Sequence, residues 1–143
     1  MSVAEILRSK GNAVFSITPQ LTLARACAEL EARGVGALVV CDGDRVAGVF
    51  SERDVVRALA QDGARALDRP VSAYMTEKVI FAEPREEMSA LMARMTDRRI
   101  RHLPVMADGR LAGVVSIGDV VKHHIAEVEC EASALREYIE TCG

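Results

Sequence analysis

"AGVFSERDVV" (residues 47–56) returns almost unchanged 65 residues later as "AGVVSIGDVV" (residues 112–121). Seven of the ten residues are identical, and the Ser and the Asp are among those kept. At the same shift, residues 14–56 align with the later part of the chain without a gap, so that Pro19 meets Pro84. A match of this length predicts two copies of one supersecondary unit.

Both copies show the same order of predicted elements, β-α-β-β-α. In the first we expect a strand over residues 13–17, a helix from Leu23 to a C-cap at Gly34, strands over 36–41 and 45–50, and a helix from Ser51 to Gly63. In the second we expect a strand over residues 79–82, a helix from Glu86 to Asp97, strands over 101–106 and 111–116, and a helix from Asp119 onward. A short apolar helix precedes each copy, at "VAEIL" (3–7) and "VSAYM" (71–75). Because β-α-β needs a crossover, the sheets should contain parallel neighbours covered by helices.

Neither copy alone is long enough for a comfortable hydrophobic core. Two copies packed sheet to sheet around a pseudo-twofold axis would supply one. We therefore predict a mixed α/β (α+β) fold with two similar clefts. The predicted division is a first repeat over residues 1–66, a second over 67–124 and a helical tail over 125–143.

Composition excludes several classes of protein. The net charge of −3 argues against a general nucleic-acid binder, which normally carries a basic surplus. No apolar run approaches the roughly 20 residues of a membrane helix, and "MSVAEILRSK" (1–10) does not resemble a signal peptide. The four cysteines form no C-x-x-C pair and no metal spacing, so we expect free thiols, no metal and a reducing, cytoplasmic setting; they are Cys27, Cys41, Cys130 and Cys142, the last of them exposed.

The repeated Ser-x-x-Asp admits two interpretations. It is the pattern of a helix capping box, which needs no ligand. It can also form a nucleotide half-site, because a strand-to-helix junction presents free N–H groups to a phosphate and a carboxylate one turn later can accept hydrogen bonds from a ribose. Gly48 and Gly113 precede each Ser by three residues and would let a ligand approach the backbone.

The repeat order, the two Gly-h-h-Ser-x-x-Asp phrases (h, hydrophobic) and "RHLPV" (101–105) resemble the cystathionine β-synthase (CBS) domain, present here as a tandem pair. The tail "EASALREYIETCG" (131–143) also resembles that of small stand-alone bacterial CBS-pair proteins. Such pairs bind adenosine derivatives: AMP, ADP, ATP, NAD(H) or S-adenosylmethionine. The resemblance implies that the Asp holds the ribose and the Ser lies near the ribose or phosphate, which carries over to Ser51, Asp54, Ser116 and Asp119.

The positions at which the copies differ suggest two unequal clefts. Arg53 can pair with a phosphate, whereas its counterpart Gly118 cannot. The second copy supplies Arg101 and His102, and Lys122 adds a further cation, while Arg98 is interpreted as a solvated helix end. An apolar slot for adenine is expected from the first strands and the facing walls, at Val14, Phe15, Ile17, Val79, Ile80, Phe81, Ala37, Leu103 and Pro104.

The C-terminal tail continues the last helix with apolar residues spaced by three and four. This is the a/d pattern of a helical seam, which either folds back on its own module or packs against a second chain. The family resemblance favours a homodimer through the CBS modules. The seam consists of Ile125, Val128, Ala132, Leu135 and Ile139.

The favoured hypothesis is a non-catalytic sensor that binds an adenine nucleotide, with AMP as the first choice, and signals its state to a separate, unidentified effector protein. No nucleophile–base pair and no Walker-type lysine loop supports an enzyme. The alternatives are a structural, dimerising protein whose Ser-x-x-Asp boxes only cap helices and, less favoured, a nucleotide-processing enzyme.

Overall fold

The computed structural model describes residues 1–10 and 14–142. The first half contains, in chain order, α1 (Val3–Lys10), β1 (Ser16–Ile17), α2 (Leu23–Arg33), β2 (Ala37–Asp42), β3 (Arg45–Ser51) and α3 (Glu52–Asp62). Two short 3-10 segments follow, at Gly63–Asp68 and Val71–Ala73. The second half contains α4 (Met88–Arg98), β4 (His102–Ala107), β5 (Arg110–Ser116) and α5 (Ile117–Cys142). The mixed α/β fold with two related halves is confirmed.

The two central hairpins are near copies of each other. β2 pairs with β3 from Ala37 opposite Ser51, and β4 pairs with β5 from His102 opposite Ser116. Both hairpins carry an irregularity at the same place, directly after Val40 and after its equivalent Val105. The shared register places each Ser at the junction between a returning strand and the helix that follows, as the repeat predicted.

The predicted strand at residues 79–82 is reduced to one parallel bridge, between Ala82 and Val105. In the first half, β1 pairs in parallel with β2, and the Val39 N–H donates to the carbonyl of Phe15. The residue equivalent to Val39 is Pro104, which has no N–H to donate. The missing donor explains why the second half keeps only the bridge at Ala82.

Smaller differences concern where elements begin. Helix α4 starts at Met88 rather than Glu86, α5 starts at Ile117 rather than Asp119, and β1 is limited to Ser16–Ile17. The segment "VSAYM" forms a 3-10 turn instead of an α-helix. The predicted start of the first strand at residue 13 lies outside the described residues. The predicted boundary at Gly34 is confirmed, because this residue caps α2 with φ 63°.

Each half completes its core with a segment from elsewhere in the chain. Val3, Ile6 and Leu7 of α1 are buried among residues of α4, β4 and β5, in the second half. The linker between the halves, residues 63–78, packs on the first half instead, through Ala66 and Val71. The division between residues 66 and 67 remains a prediction about the repeats in sequence. In the structure, α1 packs on the second half and Val71 packs on the first, so contacts cross this division in both directions.

Helix α5 runs for 26 residues, and its C-terminal part extends from the two cores. Four of the predicted seam positions, Ile125, Val128, Leu135 and Ile139, are about half or more exposed. The seam therefore does not fold back on its own module. No helix in the described part of the chain is both long enough and apolar enough to span a membrane.

Candidate functional site

A cleft of about 340 Å³ lies between the two halves. Its volume falls within the roughly 300–1,000 Å³ range of small-molecule sites. The first half contributes the start of α3, and the second half contributes the segment before β4 together with the beginning of that strand. Eight of the predicted site residues line it: Ser51, Arg53, Asp54, Val79, Ile80, Arg101, His102 and Pro104.

Asp54 is the buried carboxylate of this cleft, with 2% of its surface exposed. Its Oδ2 accepts hydrogen bonds from the Ser51 N–H at 2.9 Å and from the Ser51 hydroxyl at 3.2 Å. Its Oδ1 accepts a bond from the Thr76 hydroxyl at 3.3 Å, and Arg57 Nη1 lies 3.6 Å away. Such donors hold one orientation of the carboxylate and leave it at the wall of the cleft.

Thr76 reaches this position because its backbone pairs with β3. Its N–H donates to the carbonyl of Val49 at 2.9 Å, and its carbonyl accepts from the Val49 N–H at 3.0 Å. The linker thus adds a short edge to the first sheet directly beside the start of α3. The hydroxyl of Thr76 is thereby placed against Asp54.

The second Ser-x-x-Asp makes the reciprocal bonds of a capping box. The Ser116 N–H donates to Asp119 Oδ2 at 2.9 Å, and the Asp119 N–H donates to the Ser116 hydroxyl at 3.1 Å. Capping is therefore one function of the repeated motif, and Ser51 also occupies the N-cap of α3. The copies differ in the side chain from outside the helix that bonds the Asp: Thr76 bonds Asp54, and Lys10 bonds Asp119.

Asp119 meets a lysine from the first helix of the chain. Lys10 Nζ lies 2.7 Å from Asp119 Oδ2 and also donates to the carbonyl of Val114 at 2.7 Å. Burial alone would raise the pKa of Asp119, but the bonds from Lys10 and Ser116 outweigh it and hold this pKa below its ordinary value. Asp119 is thus a carboxylate already paired within the chain.

His102 lies between the two Ser-x-x-Asp motifs. Burial lowers the pKa of its imidazole, and Lys10 and Arg101 lower it further, whereas Glu52 and Asp119 oppose the shift. A Cβ placed on Gly36 would lie 3.2 Å from the His102 ring, so the ring rests against the backbone that leads into β2. His102 therefore experiences charges from both copies at once.

Positive charge dominates the cleft. Six cationic side chains and two carboxylates line it, an excess of four positive charges in a chain whose net charge is −3. Within the described residues, Arg57 is the one of these six cations that takes part in an ion pair. The cations are Arg53, Arg57, Lys78, Arg98, Arg99 and Arg101, and the carboxylates are Glu52 and Asp54.

The remaining predicted site residues lie elsewhere. Leu103 and Ile17 are core residues, Phe15 packs against the first core under the guanidinium of Arg33, and Phe81 is exposed. Ser116 and Asp119 belong to the second motif, next to Lys10. Val14, Ala37 and Lys122 do not line the cleft either.

The interpretation of the two glycines as points of ligand approach is wrong. A Cβ at Gly48 would lie 2.8 Å from the Thr76 carbonyl oxygen and 2.9 Å from Met75 Sδ. A Cβ at Gly113 would lie 2.6 Å from Leu7 Cδ2. In both halves the missing side chain makes room for the segment packed onto that half.

Several residues that line the cleft were not predicted from the sequence. Thr76 and Lys78 lie in the linker, outside the region aligned at a shift of 65. The shift of 68 that relates "VAEIL" to "VSAYM", if extended, also pairs Lys10 with Lys78 and would have drawn attention to both. Arg98, interpreted as a solvated helix end, is exposed at the end of α4 but also lines the cleft.

The described residues contain no group of three or more His, Cys, Asp or Glu side chains able to hold a metal ion. Cys27 and Cys41 are partly buried free thiols, and burial raises the pKa of each. Cys130 is free and exposed. The side chain of Cys142 lies outside the described part of the structure.

Two β-α-β-β-α halves that share one cleft define a tandem-repeat module, and comparison with known proteins identifies its family. The CBS domain model matches residues 3–61 and 71–125, so this chain belongs to the CBS domain family as a tandem pair. It is 34% identical to the mitochondrial CBS domain-containing protein CBSX3 of Arabidopsis thaliana, over 97% of this chain and 72% of that protein.

Solved structures agree with this assignment. The CBS-domain containing protein of Agrobacterium tumefaciens has 42% identity and a TM-score of 0.85, with 87% of this chain and 99% of that chain covered. A CBS domain protein from Pyrobaculum aerophilum, solved in complex with AMP, has 28% identity and a TM-score of 0.73, with 83% of this chain and 89% of that chain covered.

Proposed function

We propose that this chain is a non-catalytic regulatory module that binds an adenine nucleotide in the cleft and signals its bound state to a separate protein. The observation that carries the proposal is the pairing of a buried, oriented carboxylate, Asp54, with a surplus of cations across the same cleft. The proposal is a binding module because these groups match the charges and hydroxyls of a nucleotide.

Each part of a nucleotide has chemically complementary groups in the lining of the cleft. Asp54 and the Thr76 hydroxyl suit the ribose hydroxyls, because a carboxylate accepts and a hydroxyl both donates and accepts hydrogen bonds. Val79, Ile80 and Pro104 provide apolar surface for adenine. The cations suit the phosphates, for which arginine has the best geometry. AMP, the ligand in the Pyrobaculum relative, ADP, ATP and NAD(H) all contain these parts.

Signalling would follow from where the cleft lies. Its walls come from both halves, so a bound anion lowers the mutual repulsion of cations carried by the first half, the linker and the second half. The halves would then settle in a different relative position, which a partner protein could detect. The partner is a separate chain in this proposal, and the expected cytoplasmic location belongs to the proposal as well.

We also propose that two chains associate as a homodimer. The seam of α5 is exposed and retains its three–four spacing, and Val56 on α3 adds an apolar side chain that is 68% exposed. Helices with such seams bury them against each other when they associate. The expected mass in solution, measured by light scattering, is that of a dimer, and Leu135→Glu should shift it toward the monomer.

The nucleotide proposal is tested by a thermal-shift panel of AMP, ADP, ATP, NADH and S-adenosylmethionine. At a hundredfold excess over its Kd, a ligand stabilises the folded state by about 2.7 kcal/mol, which raises Tm by roughly 5–10 °C. Asp54→Asn should abolish the rise because it removes the charged acceptor at the ribose position. Asp119→Asn is the matched control, since that carboxylate is paired with Lys10, and it should keep the rise.

The structural alternative predicts a different pattern. If the Ser-x-x-Asp motifs only cap helices, alanine at Asp54 and alanine at Asp119 should lower Tm alike and no compound of the panel should raise it. Absence of any ligand-induced rise in the unmodified protein would refute the nucleotide proposal. Turnover of a bound nucleotide during long incubation would instead favour the alternative of a nucleotide-processing enzyme.

A further inference from the structure

Helix α4 ends on an arginine in a left-handed backbone conformation. Arg99 has φ 54° and ψ 41°, and its N–H donates to the carbonyl of Thr96. The equivalent residue of the first copy, Gly34, has φ 63° and ψ 37° and makes the same kind of bond to Glu31. The two helices thus end in the same motif, with glycine in one copy and arginine in the other.

Glycine is the residue that this motif favours, because a side chain in the left-handed region meets the neighbouring backbone. Arg99 and Asp108 are the two residues other than glycine with positive φ in the described chain. Asp108 lies in the tight turn between β4 and β5, where aspartate tolerates this conformation. Arginine has neither the missing Cβ of glycine nor the short polar side chain of aspartate, so Arg99 is held in this helix-end conformation at a cost in stability.

The side chain of Arg99 lines the cleft and is one of the six cations that give the cleft its excess of four positive charges. Arg99 makes no ion pair with the described residues. A strained backbone that adds one more unpaired cation to a cationic cleft destabilises the ligand-free chain twice. A multiply charged anion in the cleft offsets the second effect, the repulsion among the cations.

We propose that Arg99 is a specificity-determining residue that makes this cleft select a nucleoside di- or triphosphate over a monophosphate. The inference rests on the proposed function and refines it. One phosphate carries about 1.5–2 negative charges at neutral pH, which leaves part of the cationic excess uncompensated. A di- or triphosphate compensates it and gives Arg99, at the end of α4, an oxygen to bind.

The test is calorimetric titration of the full chain with adenosine, AMP and ATP at one fixed salt concentration, together with Tm of the ligand-free protein. The unmodified protein should bind ATP more tightly than AMP. Arg99→Gly should raise Tm by about 2–4 °C, because relief of strain exceeds the entropy that glycine adds to the unfolded chain. The same change should weaken ATP about tenfold, weaken AMP less and leave adenosine unchanged.

Two further variants separate strain from binding. Arg99→Gln keeps the strained position and removes the charge, so it should weaken ATP to a similar degree and raise Tm less than Arg99→Gly does. Asp108→Gly relieves positive φ away from the cleft, so it should raise Tm without changing any affinity. Equal affinities of the unmodified protein for AMP and ATP, or unchanged ATP affinity in Arg99→Gly, would overturn this inference and leave the proposed function standing. Failure of adenosine, AMP and ATP alike to bind would overturn the proposed function itself.

Discussion

The two Ser-x-x-Asp motifs have nearly the same backbone and different surroundings. Asp54 is 2% exposed and is bound by Ser51 and Thr76 at the wall of an open cleft. The Asp119 side chain is 23% exposed and forms an ion pair with Lys10 at 2.7 Å. Each carboxylate has a cation of its own chain nearby, but Asp54, with Arg57 Nη1 at 3.6 Å, lines a space that a ligand can enter, whereas Asp119 is bonded by Lys10 at 2.7 Å.

The difference arises in the segment packed onto each half. Lys10 of α1 and Lys78 of the linker occupy equivalent positions in sequence. Lys10 bonds Asp119 and the carbonyl of Val114, whereas Lys78 lines the cleft and pairs with no carboxylate within the described residues. The two halves share their hairpins and helix starts, and the packed segments make the surroundings of the two motifs unequal.

The largest expected effect comes from filling the space above the first hairpin. In Gly48→Ala, the new methyl group meets the Thr76 backbone carbonyl at 2.8 Å, which cannot rotate away. We expect a loss of about 2 kcal/mol in the free energy of unfolding, since overpacking costs about 1–3 kcal/mol. The shift of Thr76 should also weaken ligand binding through Asp54. Urea unfolding and ligand titration measure the two effects.

Gly113→Ala is the matched change in the second half. Its methyl group meets the end of the Leu7 side chain at 2.6 Å, which can adopt another rotamer. The cost should stay below about 1 kcal/mol, as expected when a side chain rather than backbone moves, and ligand affinity in the cleft should not change. Equal losses of stability in the two variants would contradict the proposed difference between backbone packing at Gly48 and side-chain packing at Gly113.

The next effect concerns how many ligands one chain binds. Lys10→Met removes the charge paired with Asp119 and keeps a side chain of similar length. The free energy of unfolding should fall by about 0.5–1 kcal/mol, as for other partly exposed ion pairs. Asp119 then becomes available, so calorimetric stoichiometry should rise from about one nucleotide per chain to about two.

Lys78→Met is the control, because it removes the equivalent lysine from the open cleft. It should weaken the first binding event and leave the stoichiometry at about one. If Lys10→Met binds a single nucleotide as well, the second motif is inactive for a reason other than Lys10.

Much of the fold could be predicted because the repeat is a pattern along the chain. The register of Ser51 and Ser116, the helix end at Gly34 and the hairpins all follow from local spacing and turn chemistry. The reduced strand at Ala82 shows the limit of such reasoning. The strand is short because Pro104, in the neighbouring strand β4, has no N–H to donate to it. The hydrophobic pattern of a segment does not show which residues of another strand it will pair with.

The candidate site could be predicted in part for a similar reason. Asp54, Arg101 and His102 were found because motif and charge mark them in sequence. Lys10 and Thr76 were not, because each acts on a motif far along the chain after its segment has packed onto that half. An alignment of repeats shows which residues are equivalent, but it does not show which core a segment joins.

The last prediction concerns the pH dependence of stability that arises from His102, which faces both motifs. Its pKa is lowered from the ordinary value of 6.5, so the unfolded chain takes up a proton first as the pH falls. Stability should therefore decrease as the pH falls from 6.5 toward the folded pKa. Between pH 6.5 and 5.5 the loss is limited to about 1.4 kcal/mol, the equivalent of one pH unit.

His102→Gln should flatten the dependence of Tm on pH between 7.5 and 5.5, since it removes the group whose proton affinity differs between the two states. The lowered pKa of Asp119 does not interfere, because its stabilisation is lost only as the pH falls below its ordinary value of 3.8 and through the folded pKa. His124, exposed on α5, provides the control, and His124→Gln should leave the slope unchanged. A nucleotide phosphate in the cleft should stabilise the protonated imidazole, so binding should strengthen as the pH falls in the unmodified protein. That strengthening should disappear in His102→Gln, and its persistence there would assign the linked proton to the phosphate or to another side chain.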